Sequence, residues 1–270
     1  MLLSLVEYAR PKTVAQALTI LGANDNARAL AGGQTLINVM KLRAAAPDVL
    51  VDLADIAVLR AISRGGDGSL ELGAMATYTD VIASPDVNEA RPILAEVCAQ
   101  IADVQVRNRG TVGGNVCSSD PTNHLPPLLV ALGATMTIAG AGGEREVPAE
   151  EFFLGVYFTA VSPGELLTRI VVPPKRGRDG FASVTIGKDG TCIVNAAASL
   201  DGQARVAIGC VSAVPALVQG SPVQGSDPET VDLETVRVAV TDPPADVHAS
   251  AAYRRHLAEV LAARAVKEAK

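Results

Sequence analysis

Val106-Arg107-Asn108-Arg109-Gly110-Thr111-Val112-Gly113-Gly114-Asn115 packs three glycines, two cations and a threonine into ten residues. A second glycine pair stands far upstream, in Ala31-Gly32-Gly33-Gln34-Thr35-Leu36-Ile37. Each pair has a strand-like run on one side and small or hydroxyl residues beside the glycines. Glycine admits positive φ and lets a ligand approach the backbone with no Cβ in the way. Successive N–H groups exposed at such a turn form a nest for an anion, and a helix N-terminus beside it adds about half a positive charge. Two such turns on two α/β halves are expected to grip the two phosphates of a dinucleotide from opposite sides. Neither turn contains G-x-G-x-x-G, and neither has the lysine of G-x-x-x-x-G-K-[ST]. A glycine pair alone is equally consistent with a tight turn that binds nothing.

Around the first turn, Thr13 is placed to cap a helix with Val14, Ala17, Leu18 and Leu21 at helical spacing, and Gly22 is placed to end it. Residues 27–31 and 49–53 read as strands, and 36–43 as a helix. Around the second turn, 70–74 reads as a strand, and Thr77 opens a helix with Asp80 in the capping-box position. Residues 92–101 form a helix with proline in its first turn, 125–132 an apolar helix and 135–139 a strand. Glu144-Arg145-Glu146 reads as a solvated turn. Pro173-Pro174-Lys175-Arg176-Gly177-Arg178-Asp179-Gly180 reads as a linker. Beyond it, 181–187, 194–200 and 205–211 read as three strands joined by tight turns such as Asp201-Gly202, and the tail is helical from about 247. The expected chain is α+β. A nucleotide-type domain covers 1–176, in two α/β subdomains of about 1–58 and 59–176. A smaller domain with a three-stranded antiparallel sheet and helices covers 177–270.

Composition bounds what such a chain does. At 270 residues there is room for two domains. Hydrophobic residues make up 49% and charged ones 19%, which supplies a core and excludes intrinsic disorder. Aromatics are 3% with no Trp, so the core is built from Ala, Val, Leu and Ile. The net charge of −6, with scattered cations, argues against a nucleic-acid partner. The N-terminus lacks a basic n-region and meets Glu7 and Arg10 too early for a secretory segment. No run approaches the roughly 18 apolar residues that a membrane helix needs, so a cytoplasmic location is expected. Cys98, Cys117, Cys192 and Cys210 form no C-x-x-C pair, which argues against metal ligation and for small buried hydrophobes. No Ser-His-Asp or paired-carboxylate arrangement suggests acid–base catalysis.

The two glycine strings resemble the FAD-pyrophosphate loops of the carbon monoxide dehydrogenase medium subunits, and the flavin domain of xanthine dehydrogenase is similar to both. Met40-Lys41-Leu42-Arg43, Leu72-Gly73-Ala74, Asp120-Pro121, Glu151-Phe152-Phe153-Leu154-Gly155 and Pro163-Gly164-Glu165-Leu166-Leu167 follow in the family's order. The resemblance covers nearly the whole chain and weakens after about Val211. It implies a vanillyl-alcohol-oxidase (PCMH)-type FAD-binding domain followed by a small C-terminal domain. It further implies an oxidoreductase component: the FAD-binding electron-transfer subunit of a heterotrimeric molybdenum hydroxylase. Electrons would come from [2Fe–2S] clusters on a small iron–sulfur subunit, fed by a molybdopterin cofactor on a large molybdenum subunit. The implied assembly is a dimer of heterotrimers.

Carried over by position, the resemblance places Ala31, Gly32, Gly33, Gln34, Thr35 and Leu36, with Thr111, Val112, Gly113, Gly114 and Asn115, at the pyrophosphate. Ile101, Arg107, Asn108, Cys117, Asp120, His124 and Lys188 complete the expected FAD contacts, and Leu167 offers its backbone to the adenine end. His124 departs from the family, in which many relatives carry an aspartate there; it is a flavin contact or a cap residue. Arg107 and Arg109 are phosphate or partner contacts, or solvated cations. Cys117 lies close enough to approach the flavin or is an idle buried thiol. Tyr157 and Phe158 stack near the flavin or pack in the core. Thr185 stands where the xanthine dehydrogenase branch has a lysine that helps NAD+ chemistry, with Lys188 close by, which puts reaction with NAD+ in doubt. A free-standing FAD oxidase would need a sizeable substrate-binding cap, for which the region after Pro173 is short. A non-redox nucleotide-binding module would require two loops that hold no flavin.

Overall fold

The computed structural model describes residues 3–187, 190–201, 203–218 and 231–270; Lys188 and Gly202 lie outside them. Strands β1 (Glu7–Ala9), β2 (Ala27–Leu30) and β3 (Val49–Asp52) form a parallel sheet in the order β1-β3-β2. Helix α1 (Val14–Ala23) is capped by the Thr13 hydroxyl, which accepts from Gln16 N at 3.2 Å. It runs one residue past Gly22, because the stop comes from Asn24, whose side chain accepts from Asn26 N at 2.8 Å in an Asx turn. Helix α2 (Leu36–Lys41) follows the first glycine loop. Ala17, Leu21, Val51, Leu53 and Ile56 fill the core of this unit.

The second sheet is antiparallel. Its strands are β4 (Ile62–Arg64), β5 (Leu70–Gly73), β6 (Thr135–Gly140), β7 (Gly143–Pro148) and, after a small hairpin of β8 (Phe153–Gly155) and β9 (Phe158–Thr159), β10 (Leu166–Val172). They lie in the order β4-β5-β10-β6-β7. Glu144-Arg145-Glu146 is not a turn but part of β7, an edge strand whose solvated side chains erase the apolar alternation that betrays a strand. Arg145 there donates to Glu165 at 2.7 Å and to the Ala160 carbonyl at 2.6 Å. Between β5 and β6 run α3 (Tyr78–Ala83), α4 (Pro85–Ala90), α5 (Ile93–Cys98), α6 (Val104–Arg107), α7 (Val112–Ser118) and α8 (Leu125–Ala131), with α9 (Ala149–Phe152) after β7. Thr77 and Asp80 form the expected capping box on α3. Helix α5 ends at Cys98, short of residue 101, and the chain then reverses at Ala102, whose φ is +44°.

The third sheet holds the three expected strands, the first two lengthened and the third shifted two residues toward the N-terminus, and a short fourth: β11 (Arg178–Thr185), β12 (Cys192–Asp201), β13 (Gln203–Gly209) and β14 (Ala216–Val218), in that order. Helices α10 (Leu233–Ala239) and α11 (Ala251–Lys267) follow. Arg178, Asp179 and Gly180 therefore belong to a strand rather than to the linker. Gly180 lets α11 lie against the strand, since a Cβ there would fall 1.9 Å from the Ala265 carbonyl oxygen. The sheet is buried on both faces. Ala182, Val194, Ala196 and Ile208 pack with Leu257, Leu261 and Ala265 on one side, while Phe181, Ala197 and Ala207 join the main core on the other. Helix α8, buried at every position, is the element that this second face covers. Among the described residues, no helix is long and apolar enough to cross a membrane.

A buried ion pair fastens the third sheet to the rest. Arg91 and Asp179 are each 2% exposed, with Nε and Oδ2 2.8 Å apart. The guanidinium also donates to the Ser199 hydroxyl at 3.1 Å and the Pro173 carbonyl at 3.0 Å, and Ser199 donates to Asp179 at 2.9 Å. Removing one partner of such a pair strands the other charge in the interior. Arg91→Met is expected to cost about 3–5 kcal/mol in urea unfolding, with Arg91→Met/Asp179→Leu recovering most of it. A single variant with the wild-type midpoint would show that the pair anchors nothing.

Candidate functional site

The two glycine loops touch. The first leaves β2 at Leu30, turns through Gly33 at φ +74° and enters α2. Gly32 faces the second loop, where an added Cβ would lie 2.0 Å from the Arg109 carbonyl oxygen and 2.9 Å from Gly110 Cα. Only glycine tolerates that approach. The second loop is in turn sewn to the end of β5 and the segment after it. Tyr78 N donates to the Gly110 carbonyl at 3.1 Å, Val112 N to Ala76 O at 3.0 Å, and Gly113 N to Ala74 O at 2.9 Å. Gly113 permits this contact, since its Cβ would fall 2.5 Å from Ala74 O.

This bonding divides the loops' tasks in a way that the glycine pattern alone conceals. The amides of Val112, Gly113 and Gly114 are committed inside the protein, the last to Thr111 Oγ1 at 3.0 Å, so those three are not the expected nest. The amides of Gly32, Gly33, Gln34 and Thr35 have no partner among the described residues, and Thr35 gives α2 no side-chain cap. Gly32, Gly33 and Gln34 line a cleft of about 330 Å³, and Thr35 follows them in the chain. That volume is ordinary for a small-molecule site. The cleft is lined by Leu30 to Gln34, Ile37, Asn38, Lys41, Asp52 and Arg109.

Leu30, Ile37, Asn38, Lys41 and Asp52 are additions to the expected set, and Arg109, weighed as a phosphate or partner contact or a solvated cation, lines the cleft with them. Ile37, Asn38 and Lys41 share a helix face, and Lys41 falls in a quoted family-like string, so that signal was present. Asp52 enters through strand pairing, opposite Leu30, which no local pattern encodes. Tyr8 donates to its Oδ2, and Arg10 Nε lies 3.8 Å away.

The other expected residues scatter from the cleft toward the third sheet. Arg107 points inward: it donates to the carbonyls of Ile101, at 3.0 Å, and Ala102, and so braces the reversal after α5. The Asn108 side chain accepts from Thr79 Oγ1 at 2.7 Å. Asn115 is buried and donates to the Tyr78 hydroxyl at 2.9 Å, leaving its own Oδ1 without a partner. The Cys117 thiol is pushed up to about 12 by burial and stays protonated. Asp120 accepts from Thr122 N at 2.9 Å and from the Tyr157 hydroxyl at 3.3 Å. Tyr157 and Phe158 are exposed at the β8–β9 hairpin rather than packed in the core. Leu167 is buried in β10 beside a register break, and its neighbour Thr168 accepts from Ala74 N at 2.9 Å, the residue that also receives Gly113.

His124 is 6% exposed, stacks on Phe181 with ring centroids 5.5 Å apart and has no partner for Nε2. It makes no capping hydrogen bond. Desolvation lowers its pKa to about 4, so the imidazole is neutral at neutral pH. The unfolded chain binds the proton near 6.5 and the folded chain only near 4. Stability is therefore full above 6.5 and falls by roughly 3 kcal/mol as the pH drops to 4. His124→Phe is expected to remove that slope, read as unfolding free energy at pH 7 and pH 5. An unchanged slope would place the acid sensitivity elsewhere.

Comparison with known proteins agrees with this geometry. Residues 4–175 match the family described as the FAD binding domain in molybdopterin dehydrogenase. The carbon monoxide dehydrogenase medium chain of Afipia carboxidovorans is 37% identical, over 98% of this chain and 96% of its own. The glyceraldehyde dehydrogenase medium chain of Sulfolobus acidocaldarius is 34% identical, over 97% of each. In the crystal structure of quinoline 2-oxidoreductase from Pseudomonas putida 86, a chain superposes with a TM-score of 0.91 at 32% identity, covering 98% of this chain and 97% of that one. The chain therefore belongs to the FAD-binding family of the molybdopterin dehydrogenases, the flavoprotein medium subunits of molybdenum hydroxylases.

Proposed function

We propose that the chain is the electron-transfer subunit of a heterotrimeric molybdenum hydroxylase, assembled as a dimer of heterotrimers in the cytoplasm. In this reading a small subunit delivers electrons from its [2Fe–2S] clusters, a large subunit carries the molybdopterin cofactor, and an external acceptor takes the electrons onward. The division into a domain of 1–176 and one of 177–270 belongs to the same reading. Three relatives are named for carbon monoxide, glyceraldehyde and quinoline, and this supports a substrate that binds on another subunit.

What supports the assignment of the cofactor's seat is the row of partnerless amides from Gly32 to Thr35 beside the cleft. A diphosphate fits there: four N–H donors are open to an acceptor, and glycine at 32 and 33 leaves the backbone uncovered. FAD, when bound, supplies the redox chemistry, and the protein supplies binding and orientation. The first loop donates to the diphosphate. Val112 and Gly113, tied to Ala76 and Ala74, hold the second loop rigid so that Gly32 has a fixed surface to rest on. Ile101, Cys117, Asp120, His124 and Lys188 are proposed for the flavin end, and the Leu167 backbone for the adenine end.

The protein purified gently from its host is expected to show flavin and iron–sulfur absorbance, with one small and one large chain alongside. Flavin on a lone chain would favour a free-standing flavoenzyme instead, and a colourless chain that takes up no FAD would overturn both. Gly32→Ala is expected to lose most of its flavin by pushing the Arg109 carbonyl away. Gly22→Ala, where a Cβ meets nothing within 4 Å, is expected to retain it and to gain about 0.4–1 kcal/mol of stability. Full flavin occupancy in Gly32→Ala would refute the two-loop seat.

A further inference from the structure

Two cations at the cleft have no neutralising partner among the described residues. Arg109 and Lys41 both line it, and both are exposed. Among the described residues neither side chain makes a hydrogen bond or an ion pair. The contrast with Arg107, two residues away, is sharp: that guanidinium is spent on the carbonyls of Ile101 and Ala102. Nor does the acid in the cleft consume the pair. Asp52 is engaged by the Tyr8 hydroxyl and by Arg10.

The backbone fixes where each of the two side chains starts. The Arg109 carbonyl rests on Gly32, so its side chain starts at the seam between the loops, beside the free amides. Lys41 sits in the last turn of α2, and helical side chains lean toward the helix N-terminus. It lines the same cleft as Ile37 and Asn38, beside the loop that carries the amides. The chain carries a net charge of −6, so an approaching dianion meets an unfavourable overall field and needs local positive charge. Free amides provide dipoles but no net charge.

We infer that Arg109, seconded by Lys41, neutralises the diphosphate of FAD, and that Arg107 takes no part in it. This rests on reading the cleft as the diphosphate's seat. Two monocations match the two charges of the linked phosphates, and Arg109 presents the flat fork of donors that suits phosphate oxygens, with Lys41 acting as a point charge. The pair binds and holds; it moves no electron or proton.

The test uses the assembly as purified, stripped of flavin and titrated with three probes: FAD, ADP and riboflavin. Arg109→Gln is expected to weaken FAD and ADP alike by roughly tenfold, to flatten the salt dependence of both, and to leave riboflavin unchanged. Arg109→Lys should recover part of the loss, and Lys41→Gln should show the same pattern at roughly threefold. Arg109→Gln binding FAD and ADP with wild-type strength and salt dependence would overturn the inference while leaving the seat intact. Equal weakening of all three probes would also overturn it, since Arg109 would then act through the fold. If the wild-type assembly binds FAD but not ADP, the seat itself is misplaced.

Discussion

Backbone meeting backbone, with no side chain between, is the constraint on which this molecule depends. Gly32 rests on the Arg109 carbonyl, Gly113 on Ala74, and Gly180 on the Ala265 carbonyl of α11. Each contact joins units of the fold that side chains would hold apart: the parallel sheet to the second loop, the second loop to the antiparallel sheet, and the third sheet to its helix. The aromatic-poor composition belongs to the same design. A core of alanine and small aliphatics lets layers settle close enough for these contacts to form.

From that constraint follows the inequality between the loops. The second loop sits so near Ala74 and Ala76 that its amides find their acceptors within the protein. The first, at the outer side of the contact, keeps four amides free. The more distinctive string in the sequence thus has three of its amides bonded inside the protein, and the plainer one leaves four without a partner among the described residues. Ala74 ties the arrangement together, giving its N–H to Thr168 of β10 and its carbonyl to Gly113.

Much of this was legible in the sequence, for physical reasons that can be named. Thr13 and the Thr77–Asp80 box announce helices because capping is local, decided within four residues. The two glycine loops stand out because close approach tolerates nothing else. What stayed hidden depends on distance in sequence. Arg107 and Arg109 look alike in the string, and only the reversal at Ala102 turns one inward. Asp179 looked like part of a charged linker because its partner, Arg91, lies 88 residues away. Asp52 joins the cleft through strand register, and β7 concealed itself by exposing its side chains. His124 reads as polar and proves to be a neutral ring stacked in the interior.

Helix α8 has a consequence for motion. It is buried at every position, and the third sheet covers it through Phe181, Ala197 and Ala207 as part of one continuous core. A swing of the third sheet about residues 173–177 would bare α8, at about 1.5–3 kcal/mol for each large apolar side chain uncovered, and would also break the Arg91 knot. Hinge closure of the kind that many two-domain enzymes use is therefore denied to this chain. The face that the third sheet and α8 share therefore holds still, and whatever approaches the chain meets a surface whose shape is set when the protein folds.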